Sequence, residues 1–413
     1  MKLPRLRQLF LSHVGWPRSV AAAIAVGGVA LLLAIFLIVR DVSDRHEGTF
    51  AIVGEVPAEA PGFATALLQT TGVEMRGGHR VELVDNGAVF DALVREIERA
   101  RTSVHIVMYI WEAGGASDRV VAALAARVKA GVRCRVVVDG LGSSDFLDKV
   151  QPSVQAAGCE ARILRPLGEA DDELARNHRK IVVVDGQSAM VGGFGIRDNW
   201  LGDGLSEQAW RDSNVVFEGP AVRDAQLAFA ESWQEAGGAL LAATDLAAPP
   251  AVAGGVSAAL VASSGSPTVT RAERLIQLLT LSARRRVWIA NAYFVPTRPI
   301  LEQLERQAQA GVDVRILVPG KQSDSKTSFG AQNVDYGGLV EAGIRVWEYQ
   351  PAMMHSKTML VDDRRAMVGS INIDPLSLNT LDEVALVVDD PATNARLAEA
   401  FERDCQHAKE QHR

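Results

Sequence analysis

His178 and Lys180 are separated by one residue, and so are His355 and Lys357. An imidazole can attack or exchange a proton near neutral pH, and an ammonium can neutralise an anion. Alternate residues of a strand share a face, so each His and its Lys would act on the same ligand. Two such pairs converging on one anion suit a phosphodiester. The ammoniums would hold the non-bridging oxygens and the charge that develops on them. One imidazole would attack phosphorus, giving a phosphohistidine. The other would protonate the leaving alcohol, then deprotonate the incoming alcohol or water. A lone His-x-Lys reads equally well as a solvated strand face, but this one recurs with its surroundings. His178-Arg-Lys-Ile-Val-Val-Val-Asp185 matches His355-Ser-Lys-Thr-Met-Leu-Val-Asp362, and after six intervening residues stand Gly192-Gly193 and Gly369-Ser370. Each imidazole needs an acceptor on its second nitrogen, and Asp212 and Glu383, on the runs that follow the motifs, are the candidates. A metal centre is a poorer reading, because protonated lysines would sit beside the cation and no carboxylate-rich ligand set lies nearby. No cofactor is implied.

The elements around these residues also repeat. Ile181 to Val184 are all β-branched, so His178 to Asp185 reads as a strand; Asp185-Gly186 is a turn signal, and Ala189 to Gly193 a returning strand. A hairpin centred between 186 and 187 pairs Lys180 with Gly193 and His178 with Gly195. Its twin pairs Lys357 with Ser370 and His355 with Asn372. Small residues there would leave space for a tetrahedral phosphoryl group. Upstream, Gly131 to Gly140 matches Gly311 to Gly320, each preceded by a helix-like and, before that, a strand-like run. The fold expected is α/β: two homologous lobes, 79–250 and 251–413, with largely parallel sheets about a pseudo-twofold axis. The Ala/Pro/Gly-rich stretch Ala242 to Gly255 would connect them. Residues 46–78, with Pro57 and Pro61, read as a tether.

Hydrophobic residues make up 48% of a chain that is 23% charged, which points to a local apolar run. Ser19 to Val39 provides it: 21 residues without a charge, a helix of ~31 Å, matching a bilayer's hydrocarbon thickness. Its length and its exit, Val39-Arg40-Asp41-Val42-Ser43-Asp44, favour an anchor over a cleaved signal peptide, so residues 1–45 read as a membrane anchor. Lys2, Arg5, Arg7 and Arg18 precede the run, and only Arg40 and Arg45 follow closely. That bias sets the N-terminus in the cytoplasm and the lobes on the outer face. Of 43 Lys/Arg and 50 Asp/Glu, six and two fall in residues 1–45, so the remainder is acidic, 37 against 48. An acidic body argues against broad nucleic-acid binding. Cys134, Cys159 and Cys405 show no CxxC or zinc spacing, so no disulfide framework is expected, and Cys134 reads as a core residue.

The twin motif resembles the signature of the phospholipase D superfamily, His-x-Lys-x4-Asp-x6-Gly-(Gly/Ser), intact in both copies. The similarity runs from about residue 80 to 400. Its flanks are most similar to bacterial cardiolipin synthases: Met108-Tyr-Ile-Trp-Glu112, Val138-Asp-Gly-Leu-Gly-Ser143, Trp210-Arg-Asp212 through Val222, and Ala292-Tyr-Phe-Val-Pro296. The resemblance implies metal-free transfer of a phosphatidyl group to the hydroxyl of phosphatidylglycerol, with the motif His, Lys and Asp essential. It casts Asp185 and Asp362 as structural partners. It also implies a bacterial inner membrane, phospholipid substrates in the bilayer, and no nucleic acid; no obligatory protein partner is readable. The chain departs from the family at Gly195, where Asn is usual, and at Leu376, where Arg is common. Asn379-Thr-Leu-Asp-Glu383 departs from the usual Asn-x-Glu ending, and one span is visible where two are common. Those departures leave open a hydrolase making phosphatidic acid and, from another class, a nuclease or a non-catalytic membrane-binding protein.

Overall fold

The computed structural model describes residues 50–168, 174–334 and 336–412. The expected span Ser19–Val39 lies outside them. Among the described residues no helix is long and apolar enough to cross a membrane.

Among the described residues fifteen strands form one sheet built from two half-sheets of like order. The first contains β1 (Arg76–Asp85), β2 (Ser103–Met108), β3 (Arg133–Asp139), β4 (Glu160–Leu164), β5 (Ile181–Val184), β6 (Ser188–Gly192) and β7 (Ser213–Glu218). The second contains β8 (Val256–Ser263), β9 (Arg286–Asn291), β10 (Asp313–Pro319), β11 (Arg345–Tyr349), β12 (Lys357–Val361), β13 (Arg365–Gly369) and β14 (Glu383–Asp389), with a short β15 (Ala408–Glu410) on its edge. The order reads β4-β3-β2-β5-β6-β7-β1 in one half and β11-β10-β9-β12-β13-β14-β8 in the other, joined through β1 and β8. Only β2-β3-β4 and β9-β10-β11 run parallel; the remaining pairs are antiparallel. The sheets are therefore mixed rather than largely parallel. Helical crossovers link the parallel strands, whereas β5-β6 and β12-β13 are hairpins, and a hairpin can only join antiparallel neighbours.

The helices are α1 (Ala60–Thr71), α2 (Ala88–Arg99), α3 (Gly115–Lys129), α4 (Gln151–Ala156), α5 (Val222–Glu235), α6 (Arg271–Ser282), α7 (Arg298–Gln309), α8 (Lys326–Val334), α9 (Tyr336–Glu341), α10 (Pro375–Asn379) and α11 (Pro391–Gln406). Side chains on β5 alternate between two cores, as the two-residue period requires. Val182 joins the outer core with Phe90, Leu93 and Leu124 of α2 and α3. Ile181 and Val183 join a central core that takes residues from both half-sheets, with Phe229 and Trp233 of α5 and Phe401 of α11. A third core lies on the outer face of the second half-sheet. The central core packs the half-sheets together, which is the packing a shared site needs.

Two expectations fail on tertiary grounds. The stretch read as a tether is part of the folded body from residue 50 onward. Pro61 opens α1, Gly72 closes it at φ 72°, and Phe63 and Leu67, four apart on one helix face, are fully buried. Gln277 on α6 bonds Phe50 O and Ile52 N, and Arg284 donates to Val56 O. Cys134 and Cys159 form a disulfide. They are 25 residues apart in sequence and meet only because β3 and β4 are neighbours. The repeat places Val314 and Ile344 at the corresponding positions, both buried. One lobe thus closes with a covalent bond a contact that the other makes by packing. Reduction or Cys134→Ala is expected to lower the thermal midpoint in detergent by roughly 3–5 °C, from a loss of about 2–4 kcal/mol. Equal midpoints with and without reductant would show that the bridge carries no stability.

Candidate active site

His178, Lys180, His355 and Lys357 are all buried. Each motif begins where its chain is bonded to the opposite lobe. His178 N donates to Asp382 O and Asp382 N to Arg176 O, both at 2.9 Å; His355 N donates to Arg211 O at 2.7 Å and Arg211 N to Met353 O at 2.9 Å. For this reason β5 starts at Ile181 and not at His178. Asp382 and Arg211 immediately precede Glu383 and Asp212, so those backbone bonds deliver the two carboxylates across the interface. His178 Nδ1 lies 2.9 Å from Glu383 Oε1, and His355 Nδ1 lies 3.4 Å from Asp212 Oδ2. The site is therefore reciprocal: each imidazole takes its acceptor from the other lobe. The sheet register makes Asp212 and Glu383 repeat equivalents, since Gly192 pairs with Asn214 and Gly369 with Ala385.

The carboxylates are held differently. Glu383 accepts from the hydroxyls of Ser370 and Ser377, while Asp212 accepts from the Trp200 indole N–H at 2.8 Å and from Ser213 N at 2.8 Å. Ser377 and Trp200 are separated by the same 177 residues as the motif histidines. Asp374 caps α10 by accepting from Leu376 N and Ser377 N, with Pro375 at the first helical position, and this fixes Ser377. Lys180 Nζ donates to His178 O at 2.6 Å and lies 5.0 Å from the Tyr109 ring. Lys357 Nζ donates to His355 O at 2.6 Å, lies 2.9 Å from His355 Nδ1, and is 6.0 Å from the Tyr293 ring. Tyr293 OH donates to Asp324 at 2.8 Å.

The hairpin register differs by one residue from the expectation. Ile181 faces Val191 and Thr358 faces Val368. Asp185 and Asp362 leave the strand at φ 54° and 51° to form the turns. Asp185 accepts from the N–H groups of Arg101, Thr102 and Ser103; Asp362 accepts from those of Arg284, Arg285 and Arg286. Both motif aspartates thus tie the start of β2 or β9 to the hairpin, about 16 Å of strand away from the lysines. Backbone amides outweigh burial at Asp185 and hold its carboxyl below the usual range.

The small residues create no phosphate space. A Cβ on Gly193 would stand 2.6 Å from Asp212 Oδ1 and 2.8 Å from His355 O. Gly193 is what lets Asp212 reach the imidazole. Gly192 and Gly369 similarly sit against Asn214 and Val384 of the next strand. Ser370 serves Glu383, as above, and Asn372 donates its backbone N–H to Ser377 Oγ at 2.9 Å. The structure brings together His178, Lys180, His355, Lys357, Asp212, Glu383, Ser370 and Gly193. It sets Asp185 and Asp362 apart. Sequence reasoning assigned nothing to Trp200, Ser377, Tyr109 or Tyr293, although the 177-residue offset would have found the first two.

Burial makes this pocket poor in charge. It lowers His178 well below the ordinary imidazole value, helped by Lys180, Lys357 and His355. It pushes His355 down to about 4, with Lys357 adding and Asp212 and Asp324 opposing. It lowers Lys180 well below the usual amine value, and takes Lys357 to about 8 against Asp212, Asp324 and Glu383. Glu383 is raised to about 8 by burial, against Lys180 and the two serines. Groups that influence one another this strongly converge on one place. A buried cluster of four cation-forming side chains favours an anion that restores their protons.

The family profile described as "Cardiolipin synthase, PLD-like domain" matches residues 93–233 and 275–405, one copy on each lobe. A cardiolipin synthase of Geobacillus kaustophilus is 32% identical over 346 residues, covering 80% of this chain and 68% of the relative. Cardiolipin synthase 1 of Bacillus cereus is 33% identical over 341 residues, covering 80% and 67%. The crystal structure of phosphatidylserine synthase from Haemophilus influenzae superposes with a TM-score of 0.64 at 14% identity, over 84% of this chain and 92% of that one, and so shares the fold. Two intact motifs, a reciprocal site between repeated lobes and these relatives agree: the chain belongs to the phospholipase D superfamily and, within it, to the cardiolipin-synthase family of phosphatidyltransferases.

Proposed function

We propose that this enzyme moves a phosphatidyl group from one phosphatidylglycerol to the hydroxyl of another, making cardiolipin and glycerol, through a phosphohistidine on His178. The observation that carries the reading is the reciprocal pairing of His178 with Glu383 and His355 with Asp212. A carboxylate on Nδ1 leaves Nε2 of each ring for the ligand. Nε2 of His178 attacks phosphorus, the bond to the leaving glycerol oxygen breaks, and His355 supplies that oxygen's proton. The acceptor hydroxyl then attacks phosphorus, gives its proton to His355, and the N–P bond breaks. Lys180 and Lys357 hold the non-bridging oxygens throughout.

Two asymmetries support His178 as the nucleophile. Its Nδ1 meets Glu383 at 2.9 Å, whereas His355 Nδ1 is shared between Lys357 and a more distant Asp212. Asp212 and Asp324 raise the proton affinity of His355, which suits the acid. Membrane attachment through Ser19 to Val39 would keep donor and acceptor in one plane, where positioning lets a lipid alcohol outcompete water. The basic residues ahead of that run support lobes on the outer face, and so does the Cys134–Cys159 bridge, which needs an oxidising compartment.

The test is the full chain in phosphatidylglycerol vesicles with EDTA present. Cardiolipin and glycerol are expected in equal amounts, and acid-labile phosphate on quenching, assigned to the His178 peptide by mass spectrometry. Phosphatidic acid as the sole product would overturn transfer, and label on His355 would reverse the histidine roles.

A further inference from the structure

We propose that the rim of the site mouth is a bilayer-docking surface, apolar on the first lobe and cationic on the second; this rests on the site's taking phospholipid. Leu141, Leu147 and Leu167 follow the C-terminal ends of β3 and β4, and Leu376 lies on α10, just past the site segment 370–372. These residues are 44%, 55%, 51% and 43% exposed. Hydrogen bonds and close packing tie these loops to the site. Ser143 Oγ donates to Tyr109 O at 2.8 Å and accepts from Trp111 N at 2.9 Å, which sets the loop carrying Leu141 beside the Lys180 aromatic neighbour. A Cβ on Gly140 would stand 2.6 Å from Arg165 O, so the Leu141 and Leu167 loops lie side by side. Arg165 then crosses to Asp382 at 2.8 Å, bringing the first-lobe rim to the turn that follows α10.

The second lobe uses the corresponding loop differently. The repeat aligns Gly140 with Gly320, so Lys321 stands at the place of Leu141 and Lys326 at that of Phe146. Both lysines are exposed. Exposed leucines on the loops of one lobe and lysines on the matching loop of the other, among the exposed carboxylates Asp145, Asp148 and Asp324, fit a bilayer interface, where apolar side chains enter the acyl boundary and ammoniums meet head groups. The need for such a seat follows from depth: the motif residues are buried, and a phosphodiester stays at head-group level. The mouth must therefore settle onto the head groups for phosphorus to reach His178. Two lysines on an acidic body are too few for a nucleic-acid track.

Spin labels test this on the full chain in phosphatidylglycerol–phosphatidylcholine vesicles, in a Cys405→Ser background that keeps the Cys134–Cys159 bridge. Labels at Leu147→Cys and Leu376→Cys are expected to be more accessible to oxygen than to a water-soluble nickel chelate, and a label at Leu240→Cys to show the reverse. Aqueous behaviour at both rim positions would overturn the proposal. As a second arm, Leu→Gln at all four leucines is expected to lower turnover of bilayer lipid about tenfold or more while leaving a monomeric short-chain substrate within about twofold. Equal loss on both substrates, or loss on neither, would overturn docking. A wild type inert on both would overturn phosphatidyl transfer, and the labels would still decide the surface.

Discussion

His355→Ala should abolish transfer from phosphatidylglycerol yet nearly spare the first release of p-nitrophenol from a nitrophenyl donor, whereas His178→Ala should lose both. A glycerol alkoxide departs only with a proton, so removing the general acid costs roughly 10²–10⁴-fold, about 3–5 kcal/mol of barrier. Nitrophenolate departs unprotonated, so on that donor the loss should stay within about tenfold. His178 supplies the bond to phosphorus, and without it no leaving group helps; the loss should be roughly 10⁴–10⁶-fold on either donor. In the empty pocket His355 is held near 4 by burial and Lys357. It gains its proton when the phosphodiester's negative charge enters beside it, because an opposite charge at contact favours the charged imidazole. Single-turnover rates on the two donors make the measurement. The opposite pattern, with His178→Ala sparing the nitrophenyl donor, would mean that the second lobe carries the nucleophile.

Lys357→Ala should lower kcat/KM by roughly 10²–10³-fold, the usual cost of one donor aimed at developing charge. The pH profile carries more information. Burial lowers Lys357 to about 8 in the free enzyme, so its ammonium is present below that pH and lost as pH rises through it. Because His355 takes up a proton on binding, kcat/KM declines already above about pH 4, and loss of the Lys357 ammonium adds a second, steeper fall near pH 8. Glu383 titrates in the same window, also near 8, and the two belong to one coupled cluster. Substitution separates them. Lys357→Arg keeps its charge throughout, so its shallower decline should continue unbroken past about pH 9.5. Glu383→Gln should retain a fall near pH 8 from the lysine. An unchanged limb in Lys357→Arg would assign the titration elsewhere.

The candidate site is legible because it is repeated. His178, Lys180, His355 and Lys357 announce themselves by identical spacing to Asp185 and Asp362, and the two-residue period of a strand puts each His and Lys on one face without further information. The β-branched run Ile181 to Val184 likewise fixed its own strand. The small residues were legible as a pattern but not in purpose. Gly193 looked like room for phosphate, and it is the place where Asp212 passes. The register slipped by one because Asp185 is a turn residue that caps the amides of Arg101 to Ser103, and those amides are brought to it by the sheet.

The sequence alone determined the four candidate groups, their pairing within each lobe, two α/β repeats and an apolar run long enough for a bilayer, since each of these is local or periodic. Only the tertiary structure decided what depends on segments far apart in the chain. Glu383 serves His178 across 205 positions and Asp212 serves His355 across 143. Cys134 finds Cys159 because β3 neighbours β4, and residues 50–71 join the body because the second half-sheet offers a core for Phe63 and Leu67. The physical reason is common to all three. Side-chain type and spacing set what a group can do, but which groups lose water together, and so which carboxylate holds which imidazole, is set by how the two half-sheets pack on one central core.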